Sequence, residues 1–367
     1  MTSAFPVIPL GNPDVTDNLR AILDKLGTGA AVRTYEESGW RPDFHLWEEL
    51  VKGGWTGLAL PEDAGGAGRP VTDLHLALHE LGRAAAPVPY RSSVVLVGVF
   101  LATAGTSDNT RPILESVTNG DIWSPAVTEA RWLDTVETRF EAARVRGRKA
   151  FVPDAGAAAR FLVLARGPDG DPVWAQVDAA DQGIERKPIA NTGNDAMYEV
   201  VFHDVPARLA ARLPVRRWQT LERFASAAWA LGLMTRAMEI AVDHVKNRVQ
   251  FGRPIGSFQA VQHRLADSAV EVQACVNMCR SAAMHIDERS MDDPATDAFI
   301  AELAYASRRA GTHVARDAHQ VLGGVGFTLE HDLHLYTRRV KAYTVLGDLE
   351  ENLTEEIAAA GSEIVLN

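Results

Sequence analysis

Apolar residues recur at helical spacing through most of the first third of the chain. Val15 to Lys25, His45 to Gly53 and Thr72 to Ala85 each gather them on one side, as Leu46, Leu50 and Val51 do in the second segment. Gly27 follows the first segment, and the third ends before Pro87-Val-Pro89, so each meets a stop signal where its period ends. Ser92 to Thr103 is apolar nearly all round, which predicts a buried helix, and Arg111 to Thr118 predicts a short one. Near residue 120 the period changes. Trp123 to Val127, Val136 to Ala142, Lys149 to Val152, Arg160 to Ala165, Pro172 to Val177, Ile184 to Pro188 and Met197 to His203 are short runs. Turn signals such as Pro168-Asp-Gly170 and Thr192-Gly-Asn194 separate them, as in a meandering β domain. From Val215 long amphipathic segments return, over about 216–247, 256–288, 293–323, 330–343 and 350–361. Asp293-Pro294 opens the third of these, with proline in a first-turn position. The pattern predicts an α+β chain in three parts: a helical domain over 1–120, a small antiparallel β domain over 121–213, and an antiparallel helical bundle over 214–367.

Composition narrows the classes of partner. At 367 residues, 46% hydrophobic and 23% charged, the chain suits two or three globular domains. A net charge of -11, with Lys and Arg scattered, argues against a nucleic-acid surface. The longest apolar run, Val94 to Ala104, contains Gly98 and is too short to span a bilayer. Met-Thr-Ser-Ala-Phe-Pro at the start lacks the basic and apolar regions of a signal peptide, so a cytoplasmic location is expected. Cys275 and Cys279 stand four apart with no His/Asp set nearby, which predicts buried thiols in a reducing compartment and no metal site.

Two stretches carry chemistry. Asn247 to Asp267 reads as a helix end, a hard turn broken by Gly252 and Pro254, and a second helix with Ser257 as a candidate N-cap. The turn gathers Arg248, Phe251, Gln259 and Gln262. A fixed guanidinium, an aromatic face and two amides suit a ligand with both phosphate and a flat heteroaromatic ring. The second stretch, Gln320-Val-Leu-Gly-Gly-Val-Gly-Phe327, ends a helix in a glycine-rich loop whose bare N–H groups favour an anion. The same glycines also serve as an ordinary helix C-cap and turn.

Together with Gly57-Leu-Ala-Leu-Pro-Glu-Asp-Ala-Gly-Gly-Ala-Gly68, these stretches resemble the acyl-CoA dehydrogenase family, in its order and near its spacing, over nearly the whole chain. The resemblance implies that family's fold: an all-α N-terminal domain, a middle antiparallel β domain and a C-terminal four-helix bundle. It implies FAD, with Arg248, Phe251, Gln259, Gln320, Gly323 and Gly324 at its adenine and diphosphate end, often toward FAD bound mainly by a neighbouring subunit. It also implies an acyl-CoA substrate, a tetramer, and electron-transfer flavoprotein as acceptor. The family's reaction removes a proton from Cα of the thioester and a hydride from Cβ, and so needs a closely held carboxylate base.

The chain departs from that family at the reacting end. Most members carry their base in a Tyr/Phe-Glu-Gly-Thr motif; here the text is Tyr343-Thr-Val-Leu-Gly-Asp348, with Gly347 where the Glu would stand. Some members keep the base in a Glu-Arg pair on the first bundle helix, which makes Glu222 of Leu221-Glu-Arg-Phe224 the candidate. A glutamate there is equally what a helix start favours electrostatically. Of the family's Thr-Glu-Pro-x-x-Gly-Ser flavin segment only Thr128-Glu129 is present. Its Trp-Ile-Thr segment over the flavin ring is replaced by Ala150-Phe-Val-Pro-Asp-Ala-Gly156, where Phe151 is the aromatic. A chain that keeps the nucleotide-tail residues and loses the flavin pocket resembles the degenerate partner in α2β2 acyl-CoA dehydrogenases of bacterial steroid side-chain degradation. The alternatives are a self-sufficient homotetramer with Glu222 as base and a flavin monooxygenase of the same fold.

Overall fold

The structure is a computed structural model that describes residues 12–25, 28–129, 136–345 and 353–358. The first six residues, Gly27, the run after Glu129, Gly347 and Asp348 lie outside them. The chain divides into two compact units that cut across the three segments expected from sequence. One takes the described residues of 1–32, 71–86 and 223–367; the other takes 33–70 and 87–222.

The first unit is helical. It holds α1 (Pro13–Lys25), α4 (Val71–Arg83), most of α7 (Val215–Asn247), α8 (Gln259–Glu288), α9 (Pro294–Leu322), α10 (Leu333–Val345) and a short helix over 353–358. Asp293 caps α9 by accepting the Ala295 N–H at 2.8 Å, and Pro294 sits where no N–H is needed. The tightest packing is between α4 and α7. A Cβ on Gly82 would stand 2.0 Å from the Trp229 carbonyl oxygen, and one on Gly232 would stand 2.0 Å from that of His79. Backbone meets backbone there, so only glycine fits on either side. Polar bonds continue the line of contact: His79 to Thr235 at 3.2 Å, then a two-pronged Arg83–Glu239 pair with both bonds 2.8 Å. On the other flank of α4, Arg20 of α1 grips Glu80 at 2.6 and 2.9 Å. Burial opposes the Glu80 charge, but His79 and Arg20 outweigh it and hold the carboxyl down to about 2.

The second unit holds α3 (Phe44–Lys52), a π-helix at Tyr90–Val99 that continues into α5 (Phe100–Ala102), α6 (Arg111–Thr118) and all seven strands of the large sheet. The buried apolar run takes the π form and not the α form expected. The strands are β1 (Trp123–Ala126), β2 (Arg139–Glu141), β3 (Arg144–Pro153), β4 (Arg160–Arg166), β5 (Pro172–Asp178), β6 (Ile184–Pro188) and β7 (Met197–Ala211). The pairings β4–β5, β5–β7, β7–β3, β3–β2 and β2–β4 form a ring, so the sheet closes on itself around Val145, Phe161, Val163, Ala175, Val200 and Phe202. Most pairs are antiparallel as expected. The exceptions are β1 alongside β4 and a single β2–β4 pair, which run parallel. A parallel pair needs a long return path, and residues 127–159 supply it between β1 and β4. A further helix, α2 (Thr28–Glu37), is not predicted by the apolar pattern; among its described residues only Val32 and Tyr35 are buried apolar positions. Among the described residues no helix is long and apolar enough to cross a membrane.

Gly232→Ala is expected to destabilise the helical unit by about 1–3 kcal/mol, because its methyl would have to displace backbone. A urea midpoint unchanged from wild type would contradict that crossing.

Candidate functional site

The first corner is a hairpin. After α7 ends, β8 (Val249–Gln250) pairs with β9 (Arg253–Pro254), and Phe251 and Gly252 make its two-residue tip. Both tip residues have left-handed backbone, at φ 54° and 78°. Such a turn matches the twist of its strands but normally selects Asn or Gly first, so Phe251 is held under strain. Its ring stands 91% exposed, edge-on to Phe258 at 6.0 Å, while the Arg253 guanidinium lies 4.2 Å over Phe258. The N-cap of α8 is Phe258 and not Ser257, whose hydroxyl instead donates to the Pro254 carbonyl at 2.7 Å. The inserted hairpin and its 3-10 turn move the helix start two residues past the serine. Gln262 is taken up inside the turn, donating to the Gly256 carbonyl at 2.9 Å. The exposed side chains of Arg248 and Gln259 have no hydrogen-bond or ion-pair partner among the described residues.

The second corner ends α9. Gly323 adopts φ 61° and ψ -142°, a glycine conformation, and its N–H closes on the His319 carbonyl. A Cβ at Gly323 or Gly324 would meet nothing within 4 Å, so the loop is open toward solvent, as a cradle for an approaching anion must be. Gln320 is exposed beside it. His319 anchors the loop: its ring stacks on Phe327 at 4.7 Å, and its Nε2 bonds Thr337 Oγ1 at 2.8 Å.

A cleft of about 670 Å³ lies between α8 and α9, and several of its charges pair with one another: Asp317 takes Arg264 at 2.7 Å and Arg316 at 3.0 Å, and His313 meets Glu271 at 2.8 Å. A second cleft, of about 630 Å³, joins Arg236, Asp243, His244 and Arg248 of the α7 side to Glu330 and His331. Of the residues expected at the site, only Arg248 lines it. Phe251, Gln259, Gln320, Gly323 and Gly324 instead face outward at the two corners. Arg236 and His244 line the same cleft; with Ile240 between them they step toward Arg248 at four-residue intervals along one helix face. Burial lowers the His244 pKa, and the nearby His331 and Arg248 push the same way.

Glu222 lies half-buried in the second turn of α7. Its neighbour Arg223 is buried and forks onto Glu356 at 2.8 and 3.0 Å. Tyr343, from the text that replaces the usual base motif, shares a 2.6 Å bond between its hydroxyl and Ser307 Oγ. Among the described residues no group of three or more His, Cys, Asp or Glu side chains could hold a metal ion.

In the β unit, the surviving Thr128-Glu129 is a folding element. Glu129 meets the fully buried Lys149 at 2.5 Å and accepts the N–H groups of Glu137 and Thr138 at 2.8 and 3.1 Å. Burial pulls Lys149 down to about 8 against the opposing pull of Glu129. Two residues on, at a bulge in β3, Phe151 takes a left-handed φ of 52° with its side chain 40% exposed. Asp154 is also left-handed, at φ 54°, and accepts the Ser92 hydroxyl at 2.5 Å; burial pushes its carboxyl up to about 6.

Comparison with known proteins gives one family throughout. Residues 14–121 match the acyl-CoA dehydrogenase N-terminal domain, and residues 217–361 match the acyl-CoA dehydrogenase C-terminal domain. Acyl-CoA dehydrogenase FadE27 of Mycobacterium tuberculosis is 31% identical over 330 residues, 86% of this chain and 87% of its own. Acyl-CoA dehydrogenase IpdE2 of Mycolicibacterium smegmatis is 30% identical over 92% and 94% of the two chains. Among solved structures, a variant of the Tcur3481–Tcur3483 steroid ACAD superimposes with TM-score 0.87 at 29% identity, covering 97% of this chain and 98% of that one. The ChsE4–ChsE5 complex from Mycobacterium tuberculosis gives 0.85 at 28%, covering 97% of each.

The Asp154 geometry sets a pH dependence. A carboxyl whose pKa rises on folding makes the native state the better proton binder, so stability falls as pH rises from about 4 to about 6. Asp154→Asn keeps the bond from Ser92 and tolerates the left-handed backbone. Its melting temperature should exceed wild type above pH 6, with the gain vanishing toward pH 4; a gain independent of pH would count against a buried carboxylate.

Proposed function

We propose that this chain, which belongs to the acyl-CoA dehydrogenase family, is the subunit of a heterotetramer that completes the FAD site of a catalytic partner. The enzyme class is an FAD-dependent oxidoreductase acting on acyl-CoA. The observation that carries the subunit role is that the clamp faces outward: Phe251 is 91% exposed on a strained tip, beside an unpaired Arg248. The second corner repeats this, with Phe327 at 74% and Leu329 at 72% exposure around open glycines. Large apolar side chains left to water at two corners are what a neighbouring molecule covers.

The residues fit FAD's nucleotide tail. Arg248 supplies a permanent cation for the diphosphate, Gly323 and Gly324 let it approach the backbone, and Phe251 offers a face to the adenine. Gln259 and Gln320 add amides that can both donate and accept. When bound, FAD supplies the acceptor for the hydride leaving Cβ. The partner supplies the carboxylate base in this reading, since Gly347 stands where most of the family has a Glu. Electron-transfer flavoprotein is the expected acceptor. The ChsE4–ChsE5 neighbour, itself a complex of two such chains, supports the paired assembly. The exposed corners support an assembly of several subunits whether or not all are alike.

Purified alone, the chain should be colourless or carry far less than one FAD per subunit, and become yellow when co-expressed with its partner. A lone chain with full FAD would overturn the paired reading. In the assembled enzyme Arg248→Ala should weaken FAD retention about tenfold or more, from loss of a charge-assisted bond worth ~1.5–3 kcal/mol; unchanged occupancy would remove Arg248 from the site. Glu222→Gln should leave bleaching of the flavin by acyl-CoA unchanged. Abolished bleaching with FAD still bound would assign the base to this chain, as in the self-sufficient alternative.

A further inference from the structure

Basic groups from two elements meet in one cleft. Arg236, His244 and Arg248 come from one face of α7, and His331 comes from the loop before α10. The cleft, about 630 Å³, has room for a small ligand or one end of a larger one. His244 and Arg248 stand four apart on the helix, which sets their Cβ atoms about 5–6 Å from each other. Three carboxylates share the lining, and none neutralises this pair. Asp332 lies against Gly29 at the start of α2, where a Cβ would stand 2.5 Å from its Oδ2 and the helix end favours an anion. Glu330 has a contact of its own, and Asp243 is exposed. Arg236 is the cation already paired, with Glu239 at 3.0 Å. Burial, His331 and Arg248 all disfavour charge on His244, and no carboxylate offsets them. His331 is set differently. Its Nδ1 accepts the Leu333 N–H at 3.1 Å, which leaves its own proton on Nε2. Neutral His331 is therefore a donor already. The ring of His244 has no hydrogen-bond partner among the described residues and can gain a second proton.

We infer that His244 and His331 join Arg248 in a proton-linked diphosphate site. Arg248 brings the fixed charge, His331 an Nε2–H, and His244 a proton taken from water as the anion binds. A diphosphate spreads its charge over several oxygens, so it can meet a guanidinium and two imidazoles at once. Its arrival removes the repulsion that keeps His244 neutral, so binding and proton uptake favour each other. FAD and CoA both carry a diphosphate joined to adenosine. The role given to Arg248 above favours FAD, and the inference rests on that reading. Its consequence is that the grip on the nucleotide tail weakens as pH rises and His244 loses its proton. Arg248 alone would give no such dependence, because a guanidinium stays charged throughout.

Two measurements test the site. On the full chain alone, inorganic pyrophosphate is the probe and imidazole NMR the readout. Pyrophosphate should move the His244 titration to higher pH and shift the His331 resonances, with neither effect in Arg248→Ala. In the assembled enzyme, FAD and CoA are titrated separately at about pH 6 and about pH 8, either side of the ordinary histidine value. Wild type should hold FAD about tenfold less tightly at the higher pH, as for a shift of one unit in one group. His244→Gln should flatten that slope. His331→Gln should weaken binding at both pH values and keep the slope. His45→Gln, an exposed histidine of α3, should match wild type. An unchanged slope in His244→Gln, an equal change in His45→Gln, or no response of His244 to pyrophosphate would overturn the site. An assembly that binds CoA but not FAD with this pH slope would support the site and sink only the FAD reading.

Discussion

The helical unit depends on one close approach, where α4 and α7 touch through Gly82 and Gly232. With no side chain between them, the helices come near enough for Thr235 to reach His79 and for Glu239 to take both prongs of Arg83. Those bonds lie within two turns further along α7, so the contact fixes the rotation of a 33-residue helix about its axis. That rotation decides which way Arg236, His244 and Arg248 point. The cleft they line, and the hairpin that starts one residue after Arg248, inherit their direction from two missing methyl groups.

The elements were largely legible because their periods are long or their stop signals plain. Arg111 to Thr118 and Ile184 to Pro188 fall where their patterns end, and α9 starts at the proline after Asp293. What was not legible is what long-range packing decides. Residues 71–86 belong with the bundle because α4 crosses α7, a fact that no local window contains. The ring closure of the sheet turns on one parallel pair, Arg139 with Arg166, 27 residues apart in sequence. The hairpin at Phe251 was hidden because its tip breaks the rule that identifies such turns: an aromatic sits where Asn or Gly is preferred. The glycine corner, by contrast, could be read directly, since Gly323 adopts a conformation that other residues avoid.

In the β unit, two features are held by folding requirements alone. Glu129 keeps its place because Lys149 is buried against it and because it terminates the N–H groups of the next segment. Removing either partner would leave the other charge buried and unpaired, at a cost of about 3–5 kcal/mol. Fold maintenance alone therefore accounts for the surviving half of the Thr-Glu motif. Phe151 and Asp154 both take left-handed backbone where β3 bulges and ends.

The last described helix has a role out of proportion to its length. Leu353 is fully buried against Ala301 and Ala304, and Glu356 covers the guanidinium of Arg223, itself almost without solvent contact. The tail thus works as a plug with a counter-ion built in, seating an apolar side chain and a carboxylate against the bundle with one short helix. The last turn of the described chain and the third turn of α7 are therefore fastened together although the bonded residues stand 133 apart in sequence.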